Sequence, residues 1–412
     1  MATPTTKALI AHLLRRTGFG PFPGQVKALV PLGIDGAIDH VLAALPVPDG
    51  APPDLSDDSS WAPVKWCLSK MGDPRAGLHE KMTWFFHGLV TISHDKVFWW
   101  QVEWPAYMIL RQNALGSYRT LLRQVTIQPA MLLYLDGDWS TVDGPNENYS
   151  RELQELFSIG QENVTQENVL NGALALAGWH VDWEAATSVF IDERWASLAS
   201  DQKVSFLGKQ VYRYDGVVDA ACDHPQMPAF IADKAWRYLV GTIPSATKLA
   251  SLASTYRQTG LDNRALVEAI VRDPAFLKKR MTRPRYPVEW VTAALGAAGL
   301  QDDPDLAADT LWQMGQLPFY PPSVAGWPTG NRWLSPSLAL ARAALATDSP
   351  AIASIVDASN PIATALDRCS LYEVSAQTRL ALSQASGSLV NASERAAVLL
   401  GLCLSSPEFA LA

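Results

Sequence analysis

PNENYSRELQELFSIGQENVTQENVLNGALALAGW, residues 145–179, is the stretch on which the fold turns. Leu153, Leu156 and Phe157 fall at helical spacings of three and four, while Glu147, Arg151 and Glu155 recur every four residues. One helix therefore carries an apolar face and a charged stripe whose members stand about 6 Å apart. Gly160 stops it. Thr165, followed by Glu167 and Asn168, starts a second helix that extends to near Gly178.

The same periodicity recurs outward along the chain. It marks helices at 7–16, 24–30, 34–44, 75–88 and 97–116, and two pieces within 117–135 divided at Pro129, which suits a first helical turn. It returns at 229–240, 263–269, 286–298 and, in alanine-rich form, over 336–409. The segment 45–61 is rich in Pro, Asp and Ser and reads as a long loop. Residues 312–336 are dense in Pro, Gly and aromatics, which predicts an ordered loop packed on the body, because disordered segments are poor in aromatics. Between 182 and 225 the helical signal weakens, and Val189-Phe190-Ile191 and Gln210–Tyr214 read as short strands. The expected architecture is all-α: a single multihelical packed domain over 1–412 with a small β-hairpin insertion at 182–225.

A chain of 412 residues can bury a substantial core. Its net charge of -8, with KKRMTRPR at 278–285 as its densest basic run, argues against a general nucleic-acid binder. Cys67, Cys222, Cys369 and Cys403 lack zinc-ligand spacing and a persuasive disulfide framework, and read as buried thiols. No segment is long and apolar enough to span a bilayer. Arg15 and Arg16 follow the first apolar run rather than precede it, the wrong order for a secretory signal, so the sequence as given reads as cytoplasmic. As cations in a helix's last turn, these arginines also suit its dipole.

Several segments together resemble the bacterial family of unknown function DUF1800. They include HLLRRTGFG at 12–20, MTWFFH at 82–87, NENYSRELQELFSIG at 146–160, VLNGALALAGW at 169–179, HPQMPAFIADKAWRYLV at 224–240 and the GQLPFYPPSVAGWP loop. The resemblance implies a predominantly helical bacterial protein, often exported and often encoded beside another uncharacterised protein. It implies no agreed activity. The family's polar motif falls on Asn146, Glu147, Asn148, Arg151, Glu152 and Glu155, and another on His87. Leu89 and Val90 stand where a second histidine and an aromatic are often expected, which weakens a paired-histidine metal centre.

The candidate chemistry centres on Glu147, Glu152 and Glu155. Glycoside hydrolysis uses two carboxyl groups about 5–10 Å apart, one kept protonated by burial or a like charge. With 15 tryptophans available to line a sugar site, a carbohydrate-active hydrolase is the leading expectation, with a carbohydrate ligand as partner. Asn146, Asn148, Arg151, His87 and Trp327 are the candidate substrate-binding residues. Trp327 stands out because its loop should expose it more than a core helix would. Trp84, Trp99, Trp100, Trp104, Trp179 and Trp183 could form a sugar platform, although core packing explains most of them equally well. The alternative is a helical binding or assembly protein without catalysis, possessing a protein partner, in which Arg151 neutralises Glu147 and Glu155 and fixes packing.

No cofactor or metal is expected. HExxH, GxSxG, Walker and dinucleotide patterns are absent, and metal binding by His12, His87 and His94 would require tertiary convergence. Residues 136–147 approach a calcium loop through Asp136, Asp138, Ser140 and Glu147, but Thr141 replaces the usual glycine, and an acidic turn that caps the next helix is the simpler expectation.

Overall fold

The Pro145–Trp179 stretch folds as the helix Glu147–Glu155, a reversal at Gly160 with φ 85°, and the helix Gln166–Leu176. Asn146 caps the first by accepting from the Asn148 N–H, and Thr165 caps the second by accepting from the Asn168 N–H. Each cap satisfies a donor left unpaired at a helix start. The two helices meet where Gly172 faces Ser150. A Cβ on Gly172 would stand 2.3 Å from Ser150 Oγ and 2.8 Å from the Phe206 ring, so only hydrogen fits.

The structure, a computed structural model, describes residues 4–193, 196–333 and 349–412. The end of the 312–336 loop and the opening of the 336–409 helical region lie outside the described residues. Within them, helices occupy the stretches their periodicity marks, including Thr6–Thr17, Leu78–Leu89, Trp100–Gln112, Met227–Val240 and Pro287–Ala298. Ala62–Gly72 and Ala246–Gln258 are further helices that periodicity did not single out. The described residues are 59% helical, with two small antiparallel strand pairs, and the fold is all-α.

The second helix stops at Leu176, short of Gly178, and Trp179 opens a strand. The cause is the preceding turn: Gly178 N–H donates to Ser140 O at 2.8 Å, and Trp139 N–H donates to Trp179 O at 3.1 Å, holding the chain extended. Strand β1 (Trp179–Asp182) pairs with β2 (Thr187–Phe190), and β3 (Val204–Phe206) pairs with β4 (Lys209–Val211). The small β insertion is thus two hairpins rather than one. It begins at Trp179 rather than 182, and the helix Tyr214–Asp223 follows it.

Two apolar clusters fill the interior. One gathers Leu13, Met82, Phe86, Leu153, Phe157 and Leu239, and the other Trp84, Trp100, Trp290, Leu399 and Phe409. Each such side chain fully buried contributes about 1.5–3 kcal/mol, well above an exposed ion pair. The Leu78–Leu89 helix serves both clusters, and Tyr238 packs against each. The four cysteines are buried and unbridged. Among the described residues no helix is long and apolar enough to cross a membrane.

Over its described residues the aromatic loop packs on the body, as its composition predicts. Phe319 N–H donates to His87 Nε2 at 3.0 Å, His94 N–H to Phe319 O at 2.8 Å, and Thr91 Oγ1 to Val324 O at 2.6 Å. Gly326 has φ 80°, and a Cβ there would lie 2.2 Å from Gly88 O. The loop backbone at Gly326 therefore lies directly against the Leu78–Leu89 helix at Gly88. That contact brings Trp327 onto Trp84.

Candidate functional site

A cavity of about 490 Å³ opens at the seam of the two clusters. Trp84 and Phe85 enter it from the Leu78–Leu89 helix, Tyr238 from Met227–Val240, Tyr286 from the cap of Pro287–Ala298, and Trp327 from the aromatic loop. Trp84 and Trp327 stack at 4.7 Å with planes 29° apart, and Phe85 lies 5.2 Å from Tyr238. Gln316, Arg283, Lys234, Arg237 and Asp233 supply the polar lining, while Ile243, 73% exposed, sits at the mouth. The volume falls within the roughly 300–1,000 Å³ typical of small-molecule sites.

Beneath the aromatic wall lies a buried ion cluster. Arg283 donates Nη1 to Glu289 Oε2 at 2.6 Å, Nη2 to Oε1 at 2.8 Å and Nε to Tyr238 O at 3.1 Å. Lys81 pairs with the same carboxylate, donates to Gly18 O at 3.0 Å and lies over the Phe19 and Tyr238 rings. Burial pushes the Glu289 carboxyl up, but Arg283 and Lys81 together hold it far below the usual carboxylate range. Burial lowers the Lys81 ammonium to about 8 against the pull of Glu289. Glu289 Oε2 also accepts from the Tyr286 N–H at 3.1 Å, so one carboxylate caps a helix and joins two distant elements.

Arg16, at the end of the first helix, is fully buried. It donates through Nη2 to Thr282 Oγ1 at 2.9 Å and to Ala412 O at 2.5 Å, while Nε and Nη1 have no partner among the described residues. Its role exceeds favouring a helix dipole. Two donors on the aromatic wall, Tyr238 Oη and Trp327 Nε1, are also buried without a partner.

The carboxylates expected from sequence lie elsewhere. Glu147, Arg151 and Glu155 share one half-exposed helix face, with Arg151 2.9 Å from Glu147 and 3.9 Å from Glu155. Gln166 also donates to Glu147, at 2.9 Å. Burial, then the like charge of Glu155, raises the Glu152 carboxyl. Asn146 is a helix cap, and Asn148 donates to Leu135 O and Asp136 Oδ2, both at 3.3 Å. None of these residues lines the cavity. Because the Arg151–Glu155 pair is loose and partly exposed, Glu155→Gln is expected to change stability by less than about 0.5 kcal/mol in urea unfolding. A loss above about 2 kcal/mol would show that the pair fixes the helix.

His87 is buried, and burial lowers its imidazole to about 3. It is neutral, with Nε2 accepting from the Phe319 N–H, so the ring proton sits on Nδ1. Trp327 is only 7% exposed, contrary to the expectation for a loop tryptophan, because stacking on Trp84 covers it. Of the tryptophans proposed as a platform, Trp84, Trp100 and Trp104 are buried, whereas Trp183 is 58% exposed and stacks on Trp99 at 4.9 Å.

His12 meets Phe276 O, and His94 meets Glu103 and Asp58 O, so the three histidines have separate partners. In the 136–147 loop, Asp136 pairs with Lys96, Asp138 accepts from His180 and Val181, and Ser140 accepts from Asn146. Among the described residues no group of three His, Cys, Asp or Glu side chains gathers to hold a metal.

A family model described as a protein of unknown function (DUF1800) matches residues 12–411, nearly the whole chain. The chain belongs to the DUF1800 family. No curated protein and no solved structure matches it. In this DUF1800 protein the cavity walls come from segments that carry the family resemblance, MTWFFH, AWRYLV and the SVAGWP loop. Their sequence signal is aromatic density with Arg237 as the one charge, which reads as core. Pairing across 208 positions, as between Lys81 and Glu289, leaves no trace in local spacing.

Proposed function

We propose that the protein is a helical small-molecule-binding protein whose ligand carries a saccharide-sized ring and sits against Trp84, Trp327, Tyr238 and Tyr286. The observation that carries this reading is a cavity of about 490 Å³ whose walls come from four distant segments and whose faces are aromatic. Aromatic faces pack well on the apolar faces of rings, and a few polar groups fix orientation. The carboxylate in the lining, Asp233, is engaged by Arg237 at 2.6 Å. That favours binding over paired-carboxylate hydrolysis at this place.

The test is tryptophan fluorescence during titration with maltose, cellobiose, glucuronate and glucose 6-phosphate. At least one should give a saturable change that Trp327→Leu abolishes and Trp183→Leu retains. No response to any of the four, or a response unaltered in Trp327→Leu, overturns the reading.

A carbohydrate-active hydrolase at the Glu147–Glu155 helix is the second reading. It is supported by the raised Glu152 carboxyl beside Glu155 and by the half-exposed Trp99–Trp183 stack. Glu152 would serve as general acid, Glu155 as the ionised partner and Arg151 as its positioning residue. Reducing-end release from cello- and malto-oligosaccharides should then occur and vanish in Glu152→Gln. Absence of release by the unaltered protein removes this second reading.

A further inference from the structure

Resting on the cavity as the binding site, we infer that the ring-bearing ligand is held through an oxyanion, a carboxylate or a phosphate, directed toward the wall cations Lys234, Arg237 and Arg283. Three observations converge on it. First, the charge around the cavity is unbalanced. Lys234, Arg237 and Arg283 line it against one carboxylate, Asp233, and behind the wall Arg16 and Lys81 stand with one more, Glu289. Both carboxylates are already engaged, Asp233 by Arg237 and Glu289 by Arg283 and Lys81. Lys234 lies over the Phe230 ring at 4.7 Å, and burial lowers its ammonium.

Second, the unmet hydrogen-bonding capacity is of one kind. Tyr238 Oη and Trp327 Nε1 on the wall, and Arg16 Nη1 and Nε behind it, are buried and without partners among the described residues. Arginine and tryptophan nitrogens only donate, and a tyrosine hydroxyl can donate. An acceptor-only group such as a carboxylate or phosphate complements such a set, and charge-assisted bonds to it are the strong ones. Third, a further cation packs on the wall. Gly241 lines the cavity with φ 81°, and a Cβ there would stand 3.0 Å from Arg16 Nη1 and 2.9 Å from Thr282 Oγ1, so the Arg16 guanidinium sits directly against the Gly241 backbone.

Calorimetric titration of glucose 6-phosphate, glucuronate, inorganic phosphate and glucose into the full chain and into two variants tests this. Tyr238→Phe removes only an unpartnered hydroxyl and keeps the wall, so it should fold at least as stably as the parent. Lys234→Gln removes one wall cation from a partly buried position and keeps a polar side chain there. Glucose 6-phosphate, glucuronate or both should bind at least about tenfold tighter than glucose, the scale of one charge-assisted hydrogen bond. Each variant should weaken the anions several-fold more than it weakens glucose. Preference for glucose 6-phosphate alone assigns the anion as phosphate, and preference for glucuronate alone assigns carboxylate. Glucose binding as tightly as both sugar anions, or both variants binding them like the parent, overturns the oxyanion while leaving the cavity a ring site. Failure of every sugar to bind the parent overturns both. Binding of inorganic phosphate as tight as that of glucose 6-phosphate shows an anion site without ring recognition, which upholds the oxyanion and contradicts the ring.

Discussion

Replacing Glu289 by glutamine is expected to cost about 3–5 kcal/mol of folding stability, the scale for removing one partner from a buried ion cluster. Glu289 is 2% exposed and receives Arg283, Lys81 and the Tyr286 N–H. Glutamine keeps the shape and one acceptor but leaves two buried cations without their counter-charge. The acid limb should change as well. Burial raises the Glu289 carboxyl, yet its two cationic partners hold the folded value far below the unfolded one. Its stabilisation is therefore complete above the ordinary carboxylate range near pH 4.5 and is lost as pH falls below it. Urea unfolding from pH 7 to 3 should show that loss in the parent and a flatter profile in Glu289→Gln. Equal stability of the two proteins at pH 7 would show that the cluster does not hold the seam together.

Gly326→Ala is expected to be the next most damaging single change. At φ 80° a side chain is strained by about 1–3 kcal/mol, and the added carbon would meet Gly88 O at 2.2 Å, which the helix backbone cannot move aside. The loop must lift, and with it Trp327 leaves Trp84. Two measurements report this: a lowered unfolding midpoint, and a reduced near-ultraviolet dichroism from the separated indoles. Gly330→Ala is the control, since it also has positive φ but nothing stands within 4 Å of its Cβ position. It should retain the dichroism. If Gly326→Ala has the parent's spectrum and midpoint, the close approach is not what seats Trp327.

The helices were legible because their causes are local. Leu153, Leu156 and Phe157 define a face within one turn or two, and Asn146 and Thr165 are caps that act within three residues. The end of the second helix was not legible in the same way, because Gly178 and Trp179 bond to the turn at 139–140 and become strand. Ala62–Gly72 and Ala246–Gln258 mix apolar and polar positions with little contrast between faces, so periodicity passed over them.

For the site the division is sharper. A charge stripe at four-residue steps announces itself in sequence whether or not anything binds there, so Glu147, Arg151 and Glu155 drew attention to a half-exposed face. Arg16 and Arg283 stand out in sequence only as part of an arginine pair and a short basic run, and nothing local links them to Lys81 or Glu289, because only tertiary folding unites the four. Trp327 was singled out as the tryptophan a loop should expose, whereas its burial is set by Trp84, 243 positions earlier.

The most direct measurement of the cavity as the ligand site is fluorine NMR on protein carrying 5-fluorotryptophan at its 15 tryptophans. Trp84→Phe, Trp327→Phe, Trp99→Phe and Trp183→Phe assign the four resonances that matter. During titration with glucuronate and glucose 6-phosphate, the Trp84 and Trp327 signals should shift together and saturate, while Trp99 and Trp183 stay in place. Saturable shifts confined to Trp99 and Trp183, with Trp84 and Trp327 unmoved, would contradict the account and put binding on the outer face.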